Sequence, residues 1–202
     1  MPFAWRPPDP SSYSYLLGLY LGDGWIAPKP RGGAQLIIVC ATDYPQLIDD
    51  CWAAMVLVSL HGHVTRYRPR GQRCVRLMSA WKHWLAVIPQ HGPGRKHERR
   101  IELAAWQRTI VDAHPREFLR GLLHSDGCRT VNRFKTTLPS GRVAEYAYPR
   151  WFFSNRSEDI RGLFCEYCER LGVRWTQSNP RNISVSHRRS VALLDSFVPV
   201  KS

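Results

Sequence analysis

Twenty-nine Lys and Arg against 16 Asp and Glu in 202 residues leave a formal charge of +13 before any histidine contributes, and a composition that is 44% hydrophobic and 22% charged is that of a chain with a core. This excludes a disordered basic tail. The absence of any run of 18 apolar residues excludes a spanning helix, and residues 1–8 have neither the basic start nor the apolar stretch of a signal peptide, so a soluble intracellular protein is expected, cytoplasmic or in an organellar matrix, with no membrane partner.

The first predicted element is a helix over residues 15–24, Tyr-Leu-Leu-Gly-Leu-Tyr-Leu-Gly-Asp-Gly. An extended segment (25–31), a Gly32-Gly33 turn, a β-branched run (35–39) and an apolar helix (44–60) follow. Two strand-like runs come next (63–70 and 72–79), parted by Gly71, and then a short helix over 80–88. Residues 99–114 read as a helical linker. The order then repeats. Residues 118–127, Phe-Leu-Arg-Gly-Leu-Leu-His-Ser-Asp-Gly, place Gly121 on Gly18, Asp126 on Asp23 and Gly127 on Gly24. A longer extended segment and a Pro139-Ser140-Gly141 turn lead to a strand (150–154), a helix (158–171), strands (173–177 and 182–187) and a closing helix (190–197). The fold class is therefore α+β, with two pseudo-symmetric αββαββα halves: 1–98, a linker over 99–115, and 116–202.

Charge is spread over both halves. Residues 1–100 carry 13 Lys and Arg against 6 Asp and Glu, residues 101–202 carry 16 against 10, and an excess built into a fold in this way points to a polyanionic partner, most commonly nucleic acid. The six cysteines are expected reduced, with Cys165 and Cys168 as small core residues on adjacent helical turns. Most of the eight tryptophans, Trp52, Trp81, Trp84 and Trp106 among them, fall on helix-like segments and read as core, which ranks single-strand stacking below duplex recognition.

The motif helices have a physical reading of their own. Small residues recur four apart, Gly18 and Gly22 in one and Gly121 and Ser125 in the other, so two backbones can approach closely. Gly24 and Gly127 stand where a C′ glycine ends a helix, which puts Asp23 and Asp126 at the C-terminal ends. There the macrodipole disfavours an anion by roughly 0.3–1 kcal/mol, and paired carboxylates also repel. A divalent cation between them removes both penalties, and hard oxygen ligands suit Mg²⁺.

Residues 16–24, Leu-Leu-Gly-Leu-Tyr-Leu-Gly-Asp-Gly, and residues 119–127, Leu-Arg-Gly-Leu-Leu-His-Ser-Asp-Gly, resemble the paired LAGLIDADG motifs of single-chain homing endonucleases. The second copy departs at Arg120, His124 and Ser125 but keeps Gly121, Asp126 and Gly127. The resemblance implies a monomer whose motif helices form the central interface, with a saddle of antiparallel sheets in the DNA major groove. It implies that Asp23 and Asp126 bind Mg²⁺, with Mn²⁺ as a substitute and no organic cofactor, assisted by the carbonyls of Gly22 and Ser125. Such enzymes cut both strands of a long duplex site and leave short 3′ overhangs. Lys96, Lys201 and Gln35 correspond by position to the polar residues the family places around the metals, and Arg150 is the counterpart of Gln35.

Alternation along strands assigns the DNA-reading residues. Arg66, Arg68 and Arg70 share a face, as do Arg129, Arg133 and Lys135, and Asn182, Ser184, Ser186 and Arg188. Lys29, Arg31, Arg76 and Arg150 complete the candidate DNA-binding set. The expected function is a metal-dependent, site-specific double-strand DNA endonuclease; the alternative is a catalytically silent LAGLIDADG-like DNA-binding regulator or an RNA-splicing maturase.

Overall fold

A computed structural model of the protein describes residues 5–29, 33–60 and 63–202. The first half comprises α1 (Pro10–Asp23), β1 (Gly24–Lys29), β2 (Gly33–Ala41), α2 (Pro45–Ser59), β3 (His63–Tyr67), β4 (Cys74–Ala80) and α3 (Trp84–Val87). A 3₁₀ turn (Lys96–Glu98) and α4 (Ala105–Ala113) connect it to the second half. There α5 (Pro115–Asp126), β5 (Gly127–Thr137), β6 (Val143–Ser154), α6 (Glu158–Arg170), β7 (Thr176–Asn179), β8 (Asn182–Val185) and α7 (Arg188–Asp195) repeat the order. The expected αββαββα duplication is present.

Each half contains a four-stranded antiparallel sheet, ordered β1-β2-β4-β3 and β5-β6-β8-β7. Alternation gives each sheet a core face and an open face. Leu36, Ile38 and Leu77 in one sheet, and Trp151, Phe153, Ile183 and Val185 in the other, are buried on the core face. Gln35, Val39, Arg76 and Met78, and likewise Thr130, Arg150, Phe152 and Asn182, lie on the open faces. The core is continuous across both halves and includes most of α1 and α5.

Helix α1 begins where Asp9 caps it, its carboxylate accepting from the backbone N–H groups of Ser11 and Ser12, with Pro10 at the first helical position. Every residue from Tyr13 to Leu21 is buried, as a helix surrounded by protein requires. Below it, Tyr13 donates its hydroxyl to Val87 O (2.6 Å) and accepts from Gln107 (2.7 Å), which ties α1 to α3 and α4.

Several boundaries differ from expectation, each for a local reason. The β5–β6 hairpin is longer than the sequence implied, because β6 starts at Val143 and tolerates Pro149 where only β5 lies beside it. A loop over 68–73, wider than the single Gly71, separates β3 from β4. The linker helix is confined to α4, and β8 stops at Val185, so Ser186 lies beyond the strand and Arg188 opens α7. No helix among the described residues is long and apolar enough to cross a membrane.

Candidate functional site

Glycine determines how closely α1 and α5 approach. A Cβ on Gly18 would stand 2.5 Å from Phe118 O and 2.8 Å from Leu122 N, and one on Gly121 would collide with Tyr15 O. One turn further on, a Cβ on Gly22 would strike the Ser125 side chain and come within 2.9 Å of Asp126 Oδ2. The Asp126 carboxylate therefore lies against the end of α1, as the four-residue spacing predicted.

Both helices end alike. Gly24 and Gly127 are extended, with φ/ψ of −97°/155° and −96°/157°, so they do not form the left-handed C′ turn read from sequence. Glycine is required there for space: a Cβ would lie 2.7 Å from Tyr20 Cα in one half and 2.5 Å from Leu123 O in the other.

The chemistry gathers at these ends. Asp23 is an exposed residue, yet the surrounding protein and then the charge of Asp126 push its pKa up to about 6, against the opposing pull of Lys201 and Lys96. Burial also raises Asp126, while an Asn155 N–H donated at 2.6 Å and the two lysines pull it down. Asn155 is itself fixed, accepting from Ser157 N through its side chain and from Arg161 through its carbonyl. One carboxylate is thus clamped, whereas no hydrogen bond holds the other among the described residues.

Lysines from both halves converge on the pair. Lys96 Nζ donates to Tyr20 O (2.5 Å), Gly22 O (2.7 Å) and Gly24 O (2.9 Å), and Lys201 Nζ donates to Ser125 O (3.0 Å). Each ammonium neutralises the negative end of a helix. Burial lowers both pKa values, that of Lys96 to about 8. The loop carrying Lys96 is held by Arg99, which donates to the carbonyls of Gln90, Gly92, Pro93 and Gly94. The segment carrying Lys201 is held by His124, whose Nε2 lies 3.1 Å from Pro199 O while Nδ1 lies 2.8 Å from the Tyr15 hydroxyl.

A cavity of about 250 Å³ opens beside Asp126, lined by Gly22, Lys96, His97, Ser154, Asn155 and Arg156. The donor set suits a hard cation: two carboxylates and the carbonyls of Gly22 and Ser125, each with a lone pair beyond the one given to lysine. Among the described residues no group of three or more His, Cys, Asp or Glu that could hold a metal ion converges, so an ion here would depend on backbone carbonyls and water beside the two carboxylates.

The departures of the second motif copy are accounted for here. Arg120 pairs with Asp50 of α2 and lies over the Tyr15 ring, His124 anchors residue 199, and Ser125 returns its hydroxyl to Leu122 O. Asn155, Arg99 and Tyr15 were not singled out from sequence. A lone Asn after a strand and an Arg in a basic loop have no local pattern that marks them.

The open faces require corrections to the strand assignments. Arg129, Arg133 and Lys135 do share a face, but it is the one that carries Trp151 and Phe153, and Arg129 is bound to Asp195 of α7. Arg66 turns toward α2, pairing with Asp49 at 2.7 Å over the Trp52 ring. Arg68 and Arg70 lie past the end of β3, Ser186 past β8, and Arg188 on α7. Lys29, Gln35, Arg76 and Arg150 do lie on open faces, as do Asn182, which accepts from Ser154 Oγ (2.6 Å), and the buried Ser184. Gln35 is not joined to the carboxylates. Arg31 falls outside the described residues.

This arrangement is the two-half LAGLIDADG fold of single-chain homing endonucleases. The solved structures it resembles include the LAGLIDADG meganuclease I-AabMI bound to uncleaved DNA, with 14% identity and a TM-score of 0.57 over 93% of this chain and 84% of that one. I-DmoI in complex with DNA and Mn also has 14% identity and a TM-score of 0.57, over 94% of this chain and 97% of that one. Full-length DUF199/WhiA from Thermatoga maritima has 14% identity and a TM-score of 0.55, over 99% of this chain and 58% of that one. At these identities the likeness is one of fold. No family model and no curated protein sequence matches the chain.

Proposed function

We propose that the protein is a monomeric, divalent-metal-dependent endonuclease of the homing type that cuts both strands of a specific DNA duplex. The observation that carries this reading is the pair Asp23 and Asp126, brought together at helix ends where neither carboxylate is favoured. A fold that only bound a polyanion would gain nothing from anions placed there.

Asp23 and Asp126, with the Gly22 and Ser125 carbonyls, would hold the ion, and Asn155 orients Asp126 toward it. Mg²⁺ in that position supplies charge neutralisation and acidifies water. Lys96 and Lys201 contribute fixed positive charge beside the carboxylates, where it offsets charge developing on a phosphodiester. The open faces of the two sheets receive the duplex, with Lys29, Arg76 and Arg150 among their cationic residues.

Mn²⁺ titration followed by electron paramagnetic resonance tests the site without DNA. Wild type is expected to bind Mn²⁺, and Asp23→Asn and Asp126→Asn to bind it at least tenfold more weakly, in line with the loss of one of two charged ligands. Equal binding by all three proteins would remove the aspartates from metal coordination and leave the catalytically silent DNA-binding reading.

A further inference from the structure

Three aromatic rings occupy the open face of the β5–β6 hairpin. Phe134 stands directly across from Tyr146, and Tyr148 follows two residues along β6 on the same side. Ring centroids are 5.5 Å apart for Phe134 and Tyr146, 5.9 Å for Tyr146 and Tyr148, and 5.8 Å for Phe134 and Tyr148. Phe134 and Tyr148 are 44% and 47% exposed. Their neighbours on this face of the hairpin are Thr130, Asn132, Thr136, Ala144, Arg150 and Phe152. Arg150 is the one charge among them; Arg129, Arg133, Lys135 and Glu145 all lie on the other side.

The arrangement is unusual for a cationic molecule. A hairpin that met only phosphate would present its arginines on the open face, and a structural cross-strand clasp needs only the pair Phe134 and Tyr146. The ring planes decide what the surface accepts. Tyr146 and Tyr148 are nearly parallel, at 8°, and Phe134 is inclined to them by 27° and 30°. With all three centroids 5.5–5.9 Å from one another, the rings pack as one apolar cluster. Single-stranded nucleic acid would use such rings as separate platforms, one base to a face, and rings packed on one another offer fewer of them. A duplex presents something else: thymine carries an apolar 5-methyl group in the major groove, beside acceptors that favour the positive edge of an aromatic ring.

We propose that the C-terminal half reads its part of the target by packing the cluster of Phe134, Tyr146 and Tyr148 against thymine methyl groups in the major groove. The proposal rests on the DNA-binding reading above and deepens it. It makes the two halves chemically unlike, since the open face of β1 to β4 carries the exposed rings of Trp25 and Tyr67 among Lys29 and Arg76, with no three-ring cluster among the described residues.

The test uses the full chain in Ca²⁺. Randomised duplexes are selected for binding, and the selected site is then resynthesised with deoxyuridine replacing thymine in one half at a time. Deoxyuridine lacks only the methyl group. The expected result is a selected thymine run under the C-terminal half and a loss of about fourfold in affinity per contacted thymine, the worth of one buried methyl. Phe134→Leu and Tyr148→Ala proteins, shown to be folded by their melting, should no longer distinguish thymine from deoxyuridine. A selected site whose affinity is indifferent to deoxyuridine in that half overturns the ladder while leaving DNA recognition intact. Failure to select any duplex overturns the DNA reading itself, and preference for single-stranded RNA would replace both with a stacking surface.

Discussion

Asp23 and Asp126 match in sequence but are not equivalent in their surroundings. Asn155 clamps Asp126, whereas no hydrogen bond holds the Asp23 carboxyl among the described residues. Replacing Asn155 with Ala is expected to weaken Mn²⁺ binding by about 10-fold through loss of orientation alone, measurable in the same titration. Asp23 should show its electrostatic cost in the metal-free protein. Its pKa rises from 3.8 to about 6 on folding, so between those values the native state binds a proton that the unfolded chain has lost, and stability falls as pH rises. Above pH 6 that cost is fully present. Asp23→Asn should therefore melt with wild type at pH 4 and about 2 °C higher at pH 7, a small gain because Asp23 is an exposed residue and solvent screens its charge. Calorimetry across pH 4–7 measures this; a difference that shrinks with rising pH would contradict it. The comparison with the variant is essential, because His124 acts in the opposite sense. Burial lowers its pKa to about 4, and its contribution, complete above 6.5, is lost as pH falls toward 4.

Among the elements, the α1–α5 pair was the most legible in sequence. Its information is local and repeated: two glycine-bearing apolar helices of one pattern, 103 residues apart. Backbone contact at Gly18 and Gly121 leaves no room for a methyl group, so either Gly→Ala change should destabilise the protein by about 3 kcal/mol in urea denaturation, the upper end of overpacking costs. An effect below 1 kcal/mol would mean that the helices can separate. The strands were harder to read. Alternation showed correctly that Arg129, Arg133 and Lys135 share a face, but alternation is silent on which face meets the core. That is decided by Trp151 and Phe153 on the paired strand, a long-range fact. The aromatic ladder is hard to read for a related reason: Tyr146 and Tyr148 lie just before Pro149, and a proline inside a strand-like run argues against a strand until that strand proves to be an edge there.

For the whole molecule, the charge of +13 was read correctly as part of the fold, but its distribution is more selective than the strand patterns implied. Several arginines serve the scaffold. Arg129 joins β5 to α7 through Asp195, Arg99 shapes the Lys96 loop, and Arg108 links α4 to α6 through Glu166. Arg76 and Arg150 lie on the open faces, the Arg150 guanidinium over the Phe152 ring with its Nε buried and not hydrogen-bonded. In DNA binding over a range of salt, Arg76→Ala and Arg150→Ala should each reduce the slope of log affinity against log salt by about 1. Arg129→Ala should leave the slope unchanged and lower the melting temperature. The reverse pattern would place the duplex on the other side of the sheets.

The most direct measurement of the central claim is cleavage of a randomised duplex library in Mg²⁺, with the ends sequenced and Asp23→Asn and Asp126→Asn proteins run in parallel. Discrete sites cut on both strands with short 3′ overhangs, present with wild type and lost with either variant, are the predicted result. Selective binding with no ends from the wild-type protein, or cutting that survives either substitution, would contradict it.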